Sequence, residues 1–228
     1  HVVMGDLPGH GEQTKRNRYH DEDFAEYYTY AKKLIQVAHT DDLPVFIIGN
    51  GLGATIAARA LYRNKIECAG FIMVSPWLHL KLEPGKLSKA LSSFSAITSN
   101  VKLNHDIKYN TLTRNFEVYG EMKDETPFNT VVTVKWYREL QQLLKMLKDP
   151  EVKIPTIPVL LMTGGRDKIT DIVASKQWLV QQNLKNFQYR EWTDSLNSLF
   201  FELEREEVFL LTKDFMNNSL RSLGYIIK

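Results

Sequence analysis

One cysteine, Cys68, in 228 residues excludes an intramolecular disulfide and a cysteine-rich zinc site. Cys68 opens an apolar run, which predicts a packed thiol and not a reactive one. No stretch reaches the ~18 uninterrupted apolar residues that a membrane-spanning helix needs. Charge of one sign is scarce too: a formal net charge of +2 makes no electrostatic case for a nucleic-acid partner. No metal or cofactor is expected. These absences point to a reducing, cytoplasmic setting. The chain opens with "HVVMGDLPGHG", which reads as a buried strand entering a loop, so natural residues are expected upstream of His1 and targeting is open. The scarcity with the largest chemical consequence is histidine, which occurs at positions 1, 10, 20, 39, 79 and 105 and nowhere after that.

What is present is alternation. Val2 to Gly5 reads as a short strand. Residues 24–38 place Phe24, Tyr27, Tyr28, Ala31, Leu34, Ile35 and Ala38 at helical spacing. Val45 to Ile48 is wholly apolar, 52–64 is helical, and "CAGFIMVSP" is a second buried strand. This rhythm predicts an α/β fold, a mostly parallel sheet with helices on both faces. The alternation stops between 77 and 150, where three helices near 86–98, 112–122 and 129–148 and no clear strand predict an inserted helical cap. It resumes with a strand in "IPVLLMTGG", a helix in "DIVASKQWLVQQ", a strand in "NFQYREW" and a closing helix in "LEREEVFLLTKDFMNN". The expected division is a core of 1–76 and 151–228 with a cap of 77–150.

Three glycines lie where the second strand turns into its helix, Gly49-Asn50-Gly51-Leu52-Gly53-Ala54. Gly49, Gly51 and Ala54 fit the G-x-G-x-x-A spacing of a dinucleotide site, whose backbone N–H groups meet a pyrophosphate. Such a site also wants an acid about 20 residues on, at the end of the next strand. That strand ends in Ser75. The other reading is a nucleophile elbow, G-x-S-x-G, with Gly49 and Gly53 at the glycine positions and Gly51 in place of the serine.

Two further stretches favour the elbow. "GDLPGHG", residues 5–11, resembles the D-x-x-G-x-G loop of the α/β-hydrolase superfamily, and "VLLMTGGRDKITD", residues 159–171, resembles the strand and turn that carry its triad acid. With the cap and the ending "FFELEREEVF", the whole chain is similar to the bacterial lysophospholipase and monoacylglycerol lipase branch. The resemblance puts the acid at Asp167, the nucleophile position at Gly51, one oxyanion donor at the Leu52 backbone N–H, and the base position at Asn197. Trp77 is carried as a ligand-binding candidate. The second oxyanion donor and about three strands would lie upstream of His1, one strand falling between Val2–Gly5 and Val45–Ile48 in the sheet.

The chemistry of that branch needs an activated hydroxyl. A serine is a weak nucleophile until a base takes its proton, and the acid only orients that base. Gly51 has no side chain and an amide at 197 is no base near pH 7. The expectation is therefore a family member without serine-hydrolase turnover that binds a lipid, acyl ligand or protein in the former cleft. The rivals are an active carboxylester or lysophospholipid hydrolase using non-standard residues, and a dinucleotide-binding module at the Gly49–Ala54 turn. Elbow residues hold a strained backbone that glycine enters freely, so a positive φ is expected at Gly51.

The remaining candidates have duller readings. His10 fits a loop-stabilising hydrogen bond, and His79 and His105 fit packing or surface roles. Asp167 fits a backbone cap. Lys81, Lys86, Lys89, Lys102, Lys108 and Arg114, set among Leu78, Leu80, Leu82, Leu87, Leu91, Phe94 and Ile97, could rest a basic amphipathic face on an anionic membrane or simply solvate it. Glu202, Glu204, Glu206 and Glu207 read as a solvated face.

Overall fold

The computed structural model describes residues 1–11, 19–81, 100–105, 107–118 and 129–226. Its centre is a four-stranded, fully parallel sheet in the order β1 (Phe46–Asn50), β2 (Gly70–Val74), β5 (Val159–Gly164), β6 (Phe187–Trp192). Side chains alternate across the two central strands. Phe71, Met73, Val159 and Leu161 point into one core, and Ile72, Val74, Leu160 and Met162 into the other. Both faces of these strands are thus dry, which is why they read as unbroken apolar runs. Full burial of such side chains is worth about 1.5–3 kcal/mol each.

Helices cover both faces. α1 (Phe24–Ala38), α2 (Leu52–Asn64), α4 (Val134–Lys148) and α5 (Ile172–Gln181) contribute to the first core. α6 (Arg205–Ser222) closes the second with Val208 and Phe215. α5 starts under an aspartate cap, Asp171 Oδ1 accepting from the N–H groups of Val173 and Ala174. Cys68 is half-buried, and burial pushes its thiol up to about 11. Among the described residues, no helix is long and apolar enough to cross a membrane.

Three expectations are corrected. Val2 to Gly5 form no strand; Val2 and Met4 are each 83% exposed. A strand needs a ladder partner, and these residues lie outside the sheet, while β1 pairs on one side only among the described residues and leaves Ile48 49% exposed. The strand expected between them is likewise not among the described residues.

The stretch from 77 to 150 does contain strands. β3 (Lys102–Asn104) pairs antiparallel with β4 (Val131–Thr133), and His20 bridges to Val132 on the other side. Three residues are too few to show a period, so composition could not reveal them. α4 accordingly begins at Val134, where the Thr133 side chain caps it by accepting from the Trp136 N–H. The helix expected at 112–122 is interrupted: the single turn α3 (Tyr109–Leu112) ends at an extended Thr113, and of the rest the described residues 116–118 are helical. The helix expected at 86–98 lies outside the described residues, with Lys86, Lys89, Leu82, Leu87, Leu91, Phe94 and Ile97.

The fourth correction concerns the acidic run. Glu202 is fully buried and not part of a solvated face. Its carboxylate accepts from the Leu196 N–H at 2.7 Å, and from the Arg114 backbone N–H and Nε at 3.2 and 3.1 Å. Arg114 also reaches Glu204, which accepts from Ser195 Oγ at 2.9 Å. Two more supposed surface cations are engaged: Lys102 lies over the Tyr19 ring and Lys81 donates to the Asp167 main-chain oxygen.

Candidate functional site at the strand-to-helix corner

β1 turns into α2 within one residue, and two glycines permit it. A Cβ at Gly49 would lie 2.4 Å from Ala54 Cα, so the helix can cross the strand end only over a glycine. Gly51 has φ 53° and ψ −120°, the positive φ the sequence led us to expect. Its N–H donates to Val74 O at 2.9 Å, and its carbonyl accepts from the Trp77 N–H at 3.3 Å. The corner is thereby tied to the end of β2. The first-turn N–H groups of α2, beginning with Leu52, have no side-chain cap. Above them stands Trp77, whose indole Nε1 is 3.2 Å from where a Gly51 Cβ would sit.

The second half of the site is built where β5 ends. A Cβ at Gly164 would meet Leu196 O at 1.9 Å, and one at Gly165 would meet Thr193 O at 2.4 Å. This glycine pair lets the 164–167 turn press against the loop after β6. Arg166 N–H donates to Ser195 O and Gly165 N–H to Trp192 O across that contact. Asp167 and Asn197 are thus brought together from 30 residues apart, with Asn197 Nδ2 donating to Asp167 Oδ2 at 2.9 Å. Asp167 also accepts from the N–H groups of Ile169 and Thr170 and from Thr170 Oγ1 at 2.6 Å. Four donors on two oxygens describe a carboxylate that has nothing left to give. Its capping reading therefore holds together with the juxtaposition to Asn197. The Asn197 main-chain carbonyl accepts from Ser75 Oγ at 2.6 Å, so the serine that follows β2 positions the loop.

Gly51, Leu52, Trp77 and Asn197 line one cavity of about 660 Å³. Its walls are largely apolar, with Leu80, Leu103, Ile107, Val132, Trp136 and Leu140 among them. That size and lining are those of a small-molecule site. Asp167 lies behind Asn197 and is 3% exposed.

Two residues with no assigned part in the sequence reading, His20 and Trp136, line the same cavity. His10 stacks on His20 at 4.4 Å and donates from Nδ1 to Pro8 O at 3.0 Å, the loop bond expected of it. Burial, and then the neighbouring His20, hold His10 below its ordinary 6.5. A neutral His10 with a proton on Nδ1 keeps Nε2 as an acceptor. Beneath the stack, Trp136 Nε1 donates to Tyr27 OH, which donates to Glu22. Burial works against the ionised Glu22, yet His20, with Nδ1 3.6 Å from the carboxylate, keeps its carboxyl lowered. His105 is held by Asn129 O and the Ile107 N–H, and His79 faces Asp171 at 3.4 Å. Only the "GHG" spacing could have hinted at the His10–His20 pair, because His20 arrives through its bridge to β4. Among the described residues, no group of three or more His, Cys, Asp or Glu is arranged to hold a metal ion.

A parallel sheet covered on both faces, a sharp glycine corner after a strand, and an acid on the turn after a later strand define the class as an α/β-hydrolase fold. The chain belongs to the Hydrolase_4 family (serine aminopeptidase, S33), whose model matches residues 1–204. It is 33% identical over 217 residues to phospholipase YtpA of Bacillus subtilis (strain 168), covering 94% of this chain and 83% of that protein. It is 26% identical over 179 residues to monoglyceride lipase of Rattus norvegicus, covering 75% of this chain and 57% of that protein. Among solved structures, monoacylglycerol lipase of Paleococcus ferrophilus superposes with a TM-score of 0.77 at 18% identity, over 94% of this chain and 82% of that one.

Proposed function

We propose that this chain is a lysophospholipase-like member of its family that holds a lipid or acyl ligand in the cavity and has no serine-hydrolase turnover. On this reading Gly51 stands at the nucleophile position, Asn197 at the base position and Asp167 at the acid position. Leu52 supplies an oxyanion-type N–H, and the stretch 77–150 acts as a cap that provides the apolar walls. The observation that carries it is the Asn197–Asp167 hydrogen bond beside a corner residue that has no side chain. An acid oriented toward an amide, facing a glycine, has neither a hydroxyl to activate nor a base to activate it. The 660 Å³ cavity supports the binding half of the reading.

Hydrolysis of p-nitrophenyl esters and labelling by a fluorophosphonate probe test the catalytic half. The expected result is no turnover above buffer and no label. Turnover that survives Asp167→Ala, or a labelled hydroxyl, would establish the rival reading of a hydrolase using other residues. Gly51→Ser combined with Asn197→His should restore measurable ester hydrolysis, provided Trp77 yields the few tenths of an ångström that a side chain at 51 requires. A flat NAD titration is expected as well.

A further inference from the structure

The floor of the cavity carries a hydrogen-bonding pattern that discriminates between head groups. Asn197 is 4% exposed, and its amide has one possible orientation. Asp167 Oδ2 is an acceptor only, so the atom 2.9 Å from it must be the NH₂ of Asn197. The amide oxygen is turned away from Asp167. It has no partner among the described residues, is not shut off from solvent, and belongs to a residue that lines the cavity. An acceptor is thus presented there.

The rest of the floor presents donors. The first-turn N–H groups of α2 at Leu52 and Gly53 have no side-chain cap, and the Trp77 indole N–H stands over Gly51. A hydroxyl donates once and accepts twice, so it can satisfy both sides of this floor. A carboxylate can use the donors but has no proton for Asn197. It would also bring a second negative charge to within one residue of the buried Asp167 carboxylate, whose four partners are all uncharged. Lys81 donates to the main-chain oxygen of Asp167 and does not pair with its carboxylate. The positive end of α2 pulls the other way, toward an anion. A dipole end carries about half a charge, so it does not outweigh a full like charge together with an acceptor that the ligand would cover and leave unpaired. An ether or ester likewise leaves Asn197 unpaired.

Resting on the binding reading above, we propose that the cavity takes a neutral amphiphile, an alkyl chain ending in a hydroxyl, in preference to the corresponding carboxylate. Titration calorimetry at pH 8 with 1-octanol, octanoate and octyl methyl ether tests this on the unmodified protein. The alcohol should bind about tenfold tighter than either of the others, the ratio expected for one buried hydrogen bond. Asn197→Leu should bring the three to within about threefold of one another. Octanoate binding as tightly as octanol, or the ether matching it, overturns the head-group assignment while leaving the cavity a lipid site. Binding by none of the three overturns both.

Discussion

Gly51 and Gly53 are two residues apart and face opposite constraints. Gly51 sits at φ 53° with Trp77 Nε1 3.2 Å from its missing Cβ, whereas a Cβ at Gly53 would meet nothing within 4 Å. A side chain at 51 therefore incurs backbone strain of about 1–3 kcal/mol and must also displace the indole. At 53, alanine would suit the first turn of α2 and restrict the unfolded chain. Gly51→Ala is expected to lower the melting temperature by roughly 3–8 °C, and Gly53→Ala to leave it unchanged or raise it by about 2 °C. Differential scanning calorimetry of the two variants decides it. Equal effects would mean that the corner is not strained. The strain was legible because a strand runs into a helix with no room for an ordinary turn. The indole above it was not, because Trp77 reaches the corner only through the pairing of β1 with β2.

At the scale of elements, the stretch between β2 and β5 is fastened to the core by a few specific bonds. Ser198 N–H donates to Leu112 O, Thr113 Oγ1 to Phe201 O, and Arg114 bridges Glu202 and Glu204. Glu202 is wholly buried while Arg114 is a quarter exposed, so removing the guanidinium strands a charge in the protein interior. Because two backbone N–H groups remain on Glu202, the expected cost of Arg114→Ala is about 2–3 kcal/mol, below that of an unassisted buried pair. Urea unfolding measures it. A loss under 0.5 kcal/mol, as at an ordinary surface pair, would show that the clamp contributes nothing. Glu202 binds the loop that holds Asn197, so the variant should also weaken octanol binding. The charge run 202–207 looked solvated because its partner lies 88 residues away, beyond any local pattern.

For the whole molecule, several titrating groups are displaced in the same direction. Burial and the nearby His20 hold His10 below 6.5. Burial opposes ionisation of Glu204, but the Arg114 and Ser195 hydrogen bonds outweigh it and keep the carboxyl below 4.5. Glu191 is lowered first by the Lys176 hydrogen bond, and Glu22 stays lowered by His20 despite its burial. A group whose folded pKa is depressed stabilises the fold above its unfolded pKa and loses that contribution as pH falls through the folded value. The melting temperature should therefore be flat above about pH 7, decline as His10 is forced to charge below 6.5, and fall more steeply below 4.5. His10→Asn, which can keep the bond to Pro8 O, should remove most of the first decline. A melting temperature that rises between pH 7.5 and 5.5 would contradict the burial of a neutral His10.

The sequence by itself determined the parallel core. Apolar runs at 70–74 and 159–162 can be satisfied only by strands covered on both faces, and the glycines at 49 and 51 mark the sharp turn from strand to helix. It also determined that no imidazole follows Asp167. Only the tertiary structure decided what those residues face. Asn197 meets Asp167, Trp77 covers Gly51, His20 joins the cavity and Glu202 goes inside, each through a contact between residues far apart in the chain. Local propensity reads neighbours within a turn or a strand, and none of these partners lies within that distance.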